Sequence, residues 1–398
     1  MTAKKDLARE THSDTARVLS RRTFLKLSAG GLAAFAGGAL AGCGLVAPGP
    51  VTTYEPVPTA EPQPTSPPPP TWTPTPLPPT YTPVTAAPTN PPEPTAESAP
   101  MRERAALMAH WPETATSRVV LVRHNSVWDD NAPNPSTVLQ MLDTGLSTLT
   151  DVPNTLTIWR ALFDTSERVL LKVNCIAYGG PTQPAVTYAV AQRLQDAGLA
   201  AENILIFDRT DHELESAGYT VNDGGPGVQC RGKRGEGTEA ALSQSTVRFY
   251  QEFDACDAIV NIPTPKQHSM AGISVAMKNH YGSIDRPGAL HGSQCDPAIA
   301  ELNAQPIIRD KTRLIVGAAL NVSPGDWNRP ERADALLFSF DPVALDTVAR
   351  DILVRHRQEK GMGINSLIEG TPQLSTAQAL KLGATDTELI DLQEVVLG

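Results

Sequence analysis

Several polar residues stand directly after short apolar runs, where a sheet would deliver them to one edge. Lys172 and Asn174 alternate on one face at the end of Val169–Val173, and Asp208 closes Ile204–Phe207. Lys266 and His268 follow Ala258–Ile262, and Asp341 follows the run 335–338. The chemistry these types support is specific. Lysine ammonium groups attract a carboxylate or phosphate, and a histidine can move a proton near neutral pH. An aspartate can orient a histidine or hold a hard metal ion. In open α/β sheets ligands bind beyond the carboxyl ends of the strands, the edge this spacing points to. Each residue also has a plainer reading: Asp341-Pro342 fits a helix N-cap, and a lone histidine is more often structural than catalytic.

The elements that must position these residues read as α/β. Residues 118–123 and Val169–Val173 suit strands. Pro184–Ala197 reads as an amphipathic helix, with Pro184 in its first turn and Val186, Ala189, Val190, Leu194 and Ala197 along one face. Gly198 supplies the stop, and Ile204–Phe207 completes a βαβ unit with an expected right-handed crossover. The short apolar runs Ala258–Ile262, 314–316 and 335–338 suit buried strands, and a helix opens at Asp341-Pro342. The fold class expected for 101–398 is therefore α/β, a single domain with a mostly parallel, mixed sheet flanked by helices. No internal repeat is present. The glycine-rich stretches 224–227 and 232–237 neither follow a clear strand nor open a helix, so they read as flexible loops. No G-x-S-x-G, H-E-x-x-H or Walker-type loop occurs, which removes the common hydrolase and nucleotide-triphosphatase signatures.

Five segments together resemble the bacterial and archaeal domain-of-unknown-function family numbered 362, across nearly all of 117–357. They are Leu170-Leu171-Lys172-Val173-Asn174, then Asp257 through Pro263 running to Lys266-Gln267-His268, and Met277-Lys278-Asn279-His280-Tyr281-Gly282. The isolated His291 and Asp341-Pro342-Val343-Ala344-Leu345-Asp346 complete the set. Family members more often have Lys-Pro-Asn where Val173 stands here. Some append a ferredoxin-like iron–sulfur module, but this chain lacks that cysteine run, so the resemblance implies no electron transfer and names no cofactor. It does extend the candidate site to Lys172, Asn174, Lys266, His268, Lys278, Asn279, His291, Asp341 and Asp346. Lys278 and Asn279 fall in a helix expected over 271–281. Asp346 lies at the border of the apolar face formed by Leu345, Ala349, Ile352 and Leu353, where a carboxylate is costly unless paired or facing a cleft. Three lysines in one place repel one another, and among the family-matched residues Asp341 and Asp346 are the carboxylates that could offset them. The expected function is an enzyme or cofactor-dependent protein acting on a small anionic ligand. The alternative is a non-catalytic lipoprotein that captures a ligand or helps assemble a membrane complex.

The N-terminal hundred residues set the location. Ser20-Arg21-Arg22-Thr23-Phe24-Leu25-Lys26 matches a twin-arginine export signal closely. The weakly apolar stretch 27–40 is shorter than the roughly 20 residues a membrane span needs. Leu40-Ala41-Gly42-Cys43 resembles a lipobox, so 1–42 reads as a lipoprotein signal peptide and Cys43 as the lipid attachment site. The expected partners are the twin-arginine export machinery and the cell membrane, the latter through the lipid on Cys43. The location is extracytoplasmic. Residues 43–100 read as a disordered Pro/Thr-rich tether: positions 48–100 hold 20 of the 36 prolines and no Lys or Arg. Beyond position 42 the chain carries 26 basic against 40 acidic residues, which argues against nucleic acid as a partner. Of five cysteines, Cys175, Cys230, Cys256 and Cys295 form no C-x-x-C, so no zinc ribbon or ferredoxin-type cluster is written. Those four could pair in any of three ways or stay free thiols.

Overall fold

Runs such as Val119-Val120-Leu121-Val122 place successive side chains on opposite faces of a strand, and both faces are apolar. The result is a sheet covered on both sides. In the computed structural model, which describes residues 116–176, 180–325 and 329–398, eight strands form it. They are β1 (Ser117–His124), β2 (Val169–Val173), β3 (Ile204–Phe207), β4 (Gln229–Arg231), β5 (Ala258–Ile262), β6 (Thr312–Val322), β7 (Glu331–Ser339) and β8 (Ile390–Leu397). The order across the sheet is β8-β1-β7-β6-β5-β2-β3-β4. All neighbours pair in parallel except β7, which is antiparallel to both β1 and β6. Seven strands therefore share one direction and β7 opposes them, as a mostly parallel, mixed sheet. The signal segment 1–42, Cys43 and the tether 43–100 lie outside the described residues.

Helices α1 (Pro135–Thr150), α2 (Thr155–Leu162) and α3 (Pro184–Ala197) cover one face. Met141, Leu146, Trp159 and Val190 pack there on Val120, Leu171, Val260 and Phe338. α3 ends at Gly198, whose φ of 113° is a conformation that side chains disfavour. A short helix, α4 (Ala276–Asn279), and the long α5 (Pro342–Glu359) lie on the other face with Leu121, Leu170, Ile259 and Leu337. Burying this much apolar surface at about 25 cal/mol per Å² is the main stabilising term of such a three-layer body.

Two sequence expectations change here. The segment 271–281 is not one helix: Gly272–Ser274 is a strand paired antiparallel with Lys266–His268, and only α4 and a 3-10 turn at His280–Ser283 are helical. Ile273 and Val275 are β-branched and favour the hairpin that locks Lys266 in place. Glycine-rich 232–237 is likewise not wholly loop, because Glu236–Ala241 pairs with Thr246–Tyr250.

Candidate functional site

β2 sets the first lysine. Alternation along the strand puts Lys172 on the same face as Leu170, the face that α4 and α5 cover. Its ammonium is buried and has three acceptors: the Val173 carbonyl at 2.5 Å, Asp208 Oδ1 at 2.9 Å and Asn279 Oδ1 at 3.4 Å. Asp208, at the end of β3, also accepts from the backbone N–H groups of Cys175 and Arg209. Both members of the pair are shut from water, so the surrounding hydrogen bonds are what make burial tolerable.

Asn174 carries the pattern to the second lysine. Lys266 Nζ donates to Asn174 Oδ1 at 2.6 Å and to the Ile176 carbonyl at 3.3 Å. Burial lowers the pKa of Lys266 to about 8. Asn279 lies between these groups, donating to Asn261 Oδ1 at 2.8 Å and to the Lys172 carbonyl at 3.2 Å. Asn261 in turn donates to the Ala276 carbonyl, tying β5 to α4. The amides fix the two lysines in one connected network.

The third lysine has a different environment. Lys278 Nζ stands 3.7 Å above the Tyr281 ring, within cation–π range, and 3.4 Å from His291 Nε2. His291 Nδ1 lies 2.9 Å from the Pro287 carbonyl, which can only accept, so the proton is on Nδ1 and the Nε2 lone pair faces the ammonium. Among the described residues no carboxylate pairs with Lys278. Burial brings its pKa down to about 8 and also lowers that of His291. His268 stacks on His291 with ring centroids 5.7 Å apart. Its Nδ1 accepts from the N–H groups of Met270 and Ala271, which leaves the proton on Nε2. Burial and the adjacent Lys278 lower its pKa to about 3, so this imidazole stays neutral.

These residues line one cleft of about 140 Å³ beyond the carboxyl ends of β2, β3 and β5. The space suits a ligand of a few non-hydrogen atoms. Lys172, Asn174, Lys266, His268, Lys278, Asn279 and His291 all border it. Among the described lining residues Asp208 is the lone carboxylate, set against three lysines and Arg209. Arg209 is neutralised by Glu213 on the next turn. A larger cavity of about 300 Å³ opens at the opposite edge, but there Arg231 pairs with Asp223 and Glu252. Of these two, the cleft at the carboxyl edge is the one that concentrates positive charge.

Asp341 and Asp346 are not in this cleft. β7 runs against the other strands, so its carboxyl end lies at the opposite edge, and Asp341 receives a hydrogen bond from Ser117 at the start of β1. Its other contacts are the N–H groups of Val343, Ala344 and Ala384, which make it the N-cap of α5. Asp346 accepts from Ala276 N at 2.7 Å and Met277 N at 3.2 Å. It holds the start of α4 and thereby acts on Lys278 and Asn279 from behind. Neither is placed to offset the lysines or to hold a metal in the cleft, and no three His, Cys, Asp or Glu side chains cluster as a metal site among the described residues.

The carboxylate that does the offsetting is Asp208. Its position at a strand end was visible in the sequence, but it lies outside the five segments that carry the resemblance. Tyr281 and Gly282 also line the cleft. Gly282 is required by space: a Cβ there would stand 2.8 Å from Lys172 Nζ and 2.9 Å from Asp208 Oδ1.

Residues 169–351 match the model of a protein family. It is the Domain of unknown function (DUF362) family. The DUF362 match begins at β2 and ends inside α5, so every described residue lining the cleft falls within it. β1 and β8, which complete the sheet, fall outside. A comparison with curated proteins gives no match. Cys175, Cys230, Cys256 and Cys295 are free and buried. Burial raises the pKa of each, which keeps them as inert thiols rather than nucleophiles.

Proposed function

We propose that this DUF362-matching protein is an extracytoplasmic, membrane-tethered α/β protein whose cleft binds a small carboxylate or phosphate and presents it to Lys278 and His291. The observation that carries the reading is the convergence of Lys172, Lys266 and Lys278 on one small cleft with Asp208 as its described carboxylate. Buried like charges are unfavourable until an anion joins them, so the free energy of relieving that repulsion goes into binding. The Lys278–His291 contact favours chemistry over simple capture. An ammonium aimed at an imidazole lone pair is a proton donor facing its acceptor, an arrangement that holding an anion does not need.

The location rests on Arg21-Arg22 and on Leu40-Ala41-Gly42-Cys43. No helix among the described residues is long and apolar enough to cross a membrane; the tether in this reading is a lipid on Cys43. Stable anchoring takes more than one acyl chain.

Thermal unfolding in a panel of small anions at constant ionic strength tests the cleft. Phosphate, sulfate and short carboxylates at millimolar concentration should raise the midpoint above that in chloride. Equal midpoints in every salt would remove the anion reading.

A further inference from the structure

Lys278 is arranged as an amine nucleophile. Its nitrogen is buried against Tyr281 and has an imidazole lone pair 3.4 Å away to take its proton. That imidazole is fixed in the useful tautomer by the Pro287 carbonyl. A lysine that served only to hold an anion would gain nothing from a base beside it. A lysine that must lose a proton before attacking a carbon does need one. His268, stacked on His291 at the border of the cleft, accepts at Nδ1 and so carries its proton on Nε2 as a neutral imidazole. Lys266 shares the cleft, held by Asn174, and offers a fixed positive charge for a carboxylate. The cleft has room for a molecule in which carbonyl and carboxylate are adjacent.

We infer that the cleft takes a small 2-oxo acid and that Lys278 forms a Schiff base with its carbonyl carbon, an inference that rests on the anion-binding reading above. The step balances within the site. Lys278 gives one proton to His291 Nε2, and the freed amine bonds to the carbonyl carbon while the π pair moves onto oxygen. A proton passes from nitrogen to that oxygen to give the carbinolamine. His291 returns its proton to the hydroxyl, the C–O bond breaks, water leaves, and the nitrogen lone pair closes the C=N bond. Substrate and lysine ammonium become a protonated imine and one water. No oxidant, reductant or metal is consumed. The depressed pKa of Lys278 is consistent with this, since more of the amine is available near neutral pH.

The test uses the full chain with pyruvate as probe and cyanoborohydride to reduce any imine, followed by peptide mass analysis. The prediction is a stable adduct on Lys278 well above that on every other lysine. Label at that position should be lost in Lys278→Arg, and its formation should be slowed in His291→Asn, which retains an Nδ-type donor for the Pro287 carbonyl. Calorimetry of pyruvate without the reductant is run on the same samples, so the two readings separate. Pyruvate binding with no adduct on Lys278 overturns the Schiff base and leaves anion binding standing. Absence of both binding and adduct overturns both. An adduct spread evenly over the surface lysines also overturns the inference. The Lys278→Arg protein is accepted as a control only if it unfolds cooperatively. If it does not, loss of rate in His291→Asn carries the decision: unchanged labelling there contradicts the role of the imidazole.

Discussion

Asp208 holds the ammonium of Lys172 at 2.9 Å, and both side chains are closed off from solvent. This pair forms the floor of the cleft and accounts for the one negative charge described there. Removing the charge without changing the shape leaves a buried ammonium with carbonyl and amide partners. Asp208→Asn should therefore destabilise the protein by about 3–5 kcal/mol, the range for breaking a buried pair. Urea unfolding measures it, and a loss below about 1 kcal/mol, the range of an exposed pair, would mean the pair is not the structural floor described.

Gly282 reports on the same floor from the other side. A methyl group at this position meets Lys172 Nζ and Asp208 Oδ1 at under 3 Å, so the pair must move. Gly282→Ala should cost about 1–3 kcal/mol, the usual penalty of overpacking, and weaken anion binding as well. Gly288 has open space around its Cβ position, and Gly288→Ala should stay within about 0.5 kcal/mol of the parent. Equal stability of the two variants would contradict the close approach.

Much of this arrangement could be read from the residues before the structure. β2, α3, β3 and β5 follow from apolar runs, Pro184 at a helix start and Gly198 at its end, all of them local signals. Lys172, Asn174, Lys266 and His268 were placed near the same edge because parallel strands send their carboxyl ends one way. The same rule failed for Asp341, because strand direction is a property of pairing and nothing local to 331–339 marks β7 as reversed. The segment 271–281 reads as helix because Ile273, Ala276 and Met277 fit a helical spacing over so short a stretch, whereas its first residues close a hairpin with 266–268. β8 pairs with β1 across more than 260 residues of chain, a contact that no window of sequence contains.

Asp346 gives a pH signature. Burial drives its pKa from 3.8 to about 8, against the pull of the two N–H groups it accepts from. In the folded state it keeps a proton that the unfolded chain releases near pH 4. Its contribution is most favourable below about pH 4, declines as pH rises, and is flat above about 8. Asp346→Asn should flatten the fall in stability between those limits, read as unfolding midpoints across the range. A slope unchanged from the parent would show that this carboxyl is not the source.

The proposed anchor has its own test. Replacing Arg21 and Arg22 with lysine should strand the precursor in the cytoplasm, and Cys43→Ala should abolish incorporation of labelled fatty acid. Normal lipid labelling of the Cys43→Ala protein would exclude this cysteine as the attachment site.

The central claim is that the cleft lined by Lys266 and Lys278 binds an anion, and calorimetric titration with inorganic phosphate tests it most directly. Both ammonium groups have pKa values lowered to about 8, so they are charged below that pH and lose charge above it. His268, at about 3, does not titrate in this range. Phosphate affinity should therefore stay high at pH 7 and fall as pH rises through about 8, with no histidine-like step near pH 6.5 beyond that of phosphate itself. Lys266→Met should bind roughly 10- to 100-fold more weakly at pH 7, the value of a charge-assisted hydrogen bond. Its unfolding midpoint should not fall, because one of three mutually repelling charges is gone. Equal phosphate affinity in the parent and the Lys266→Met protein would contradict the account.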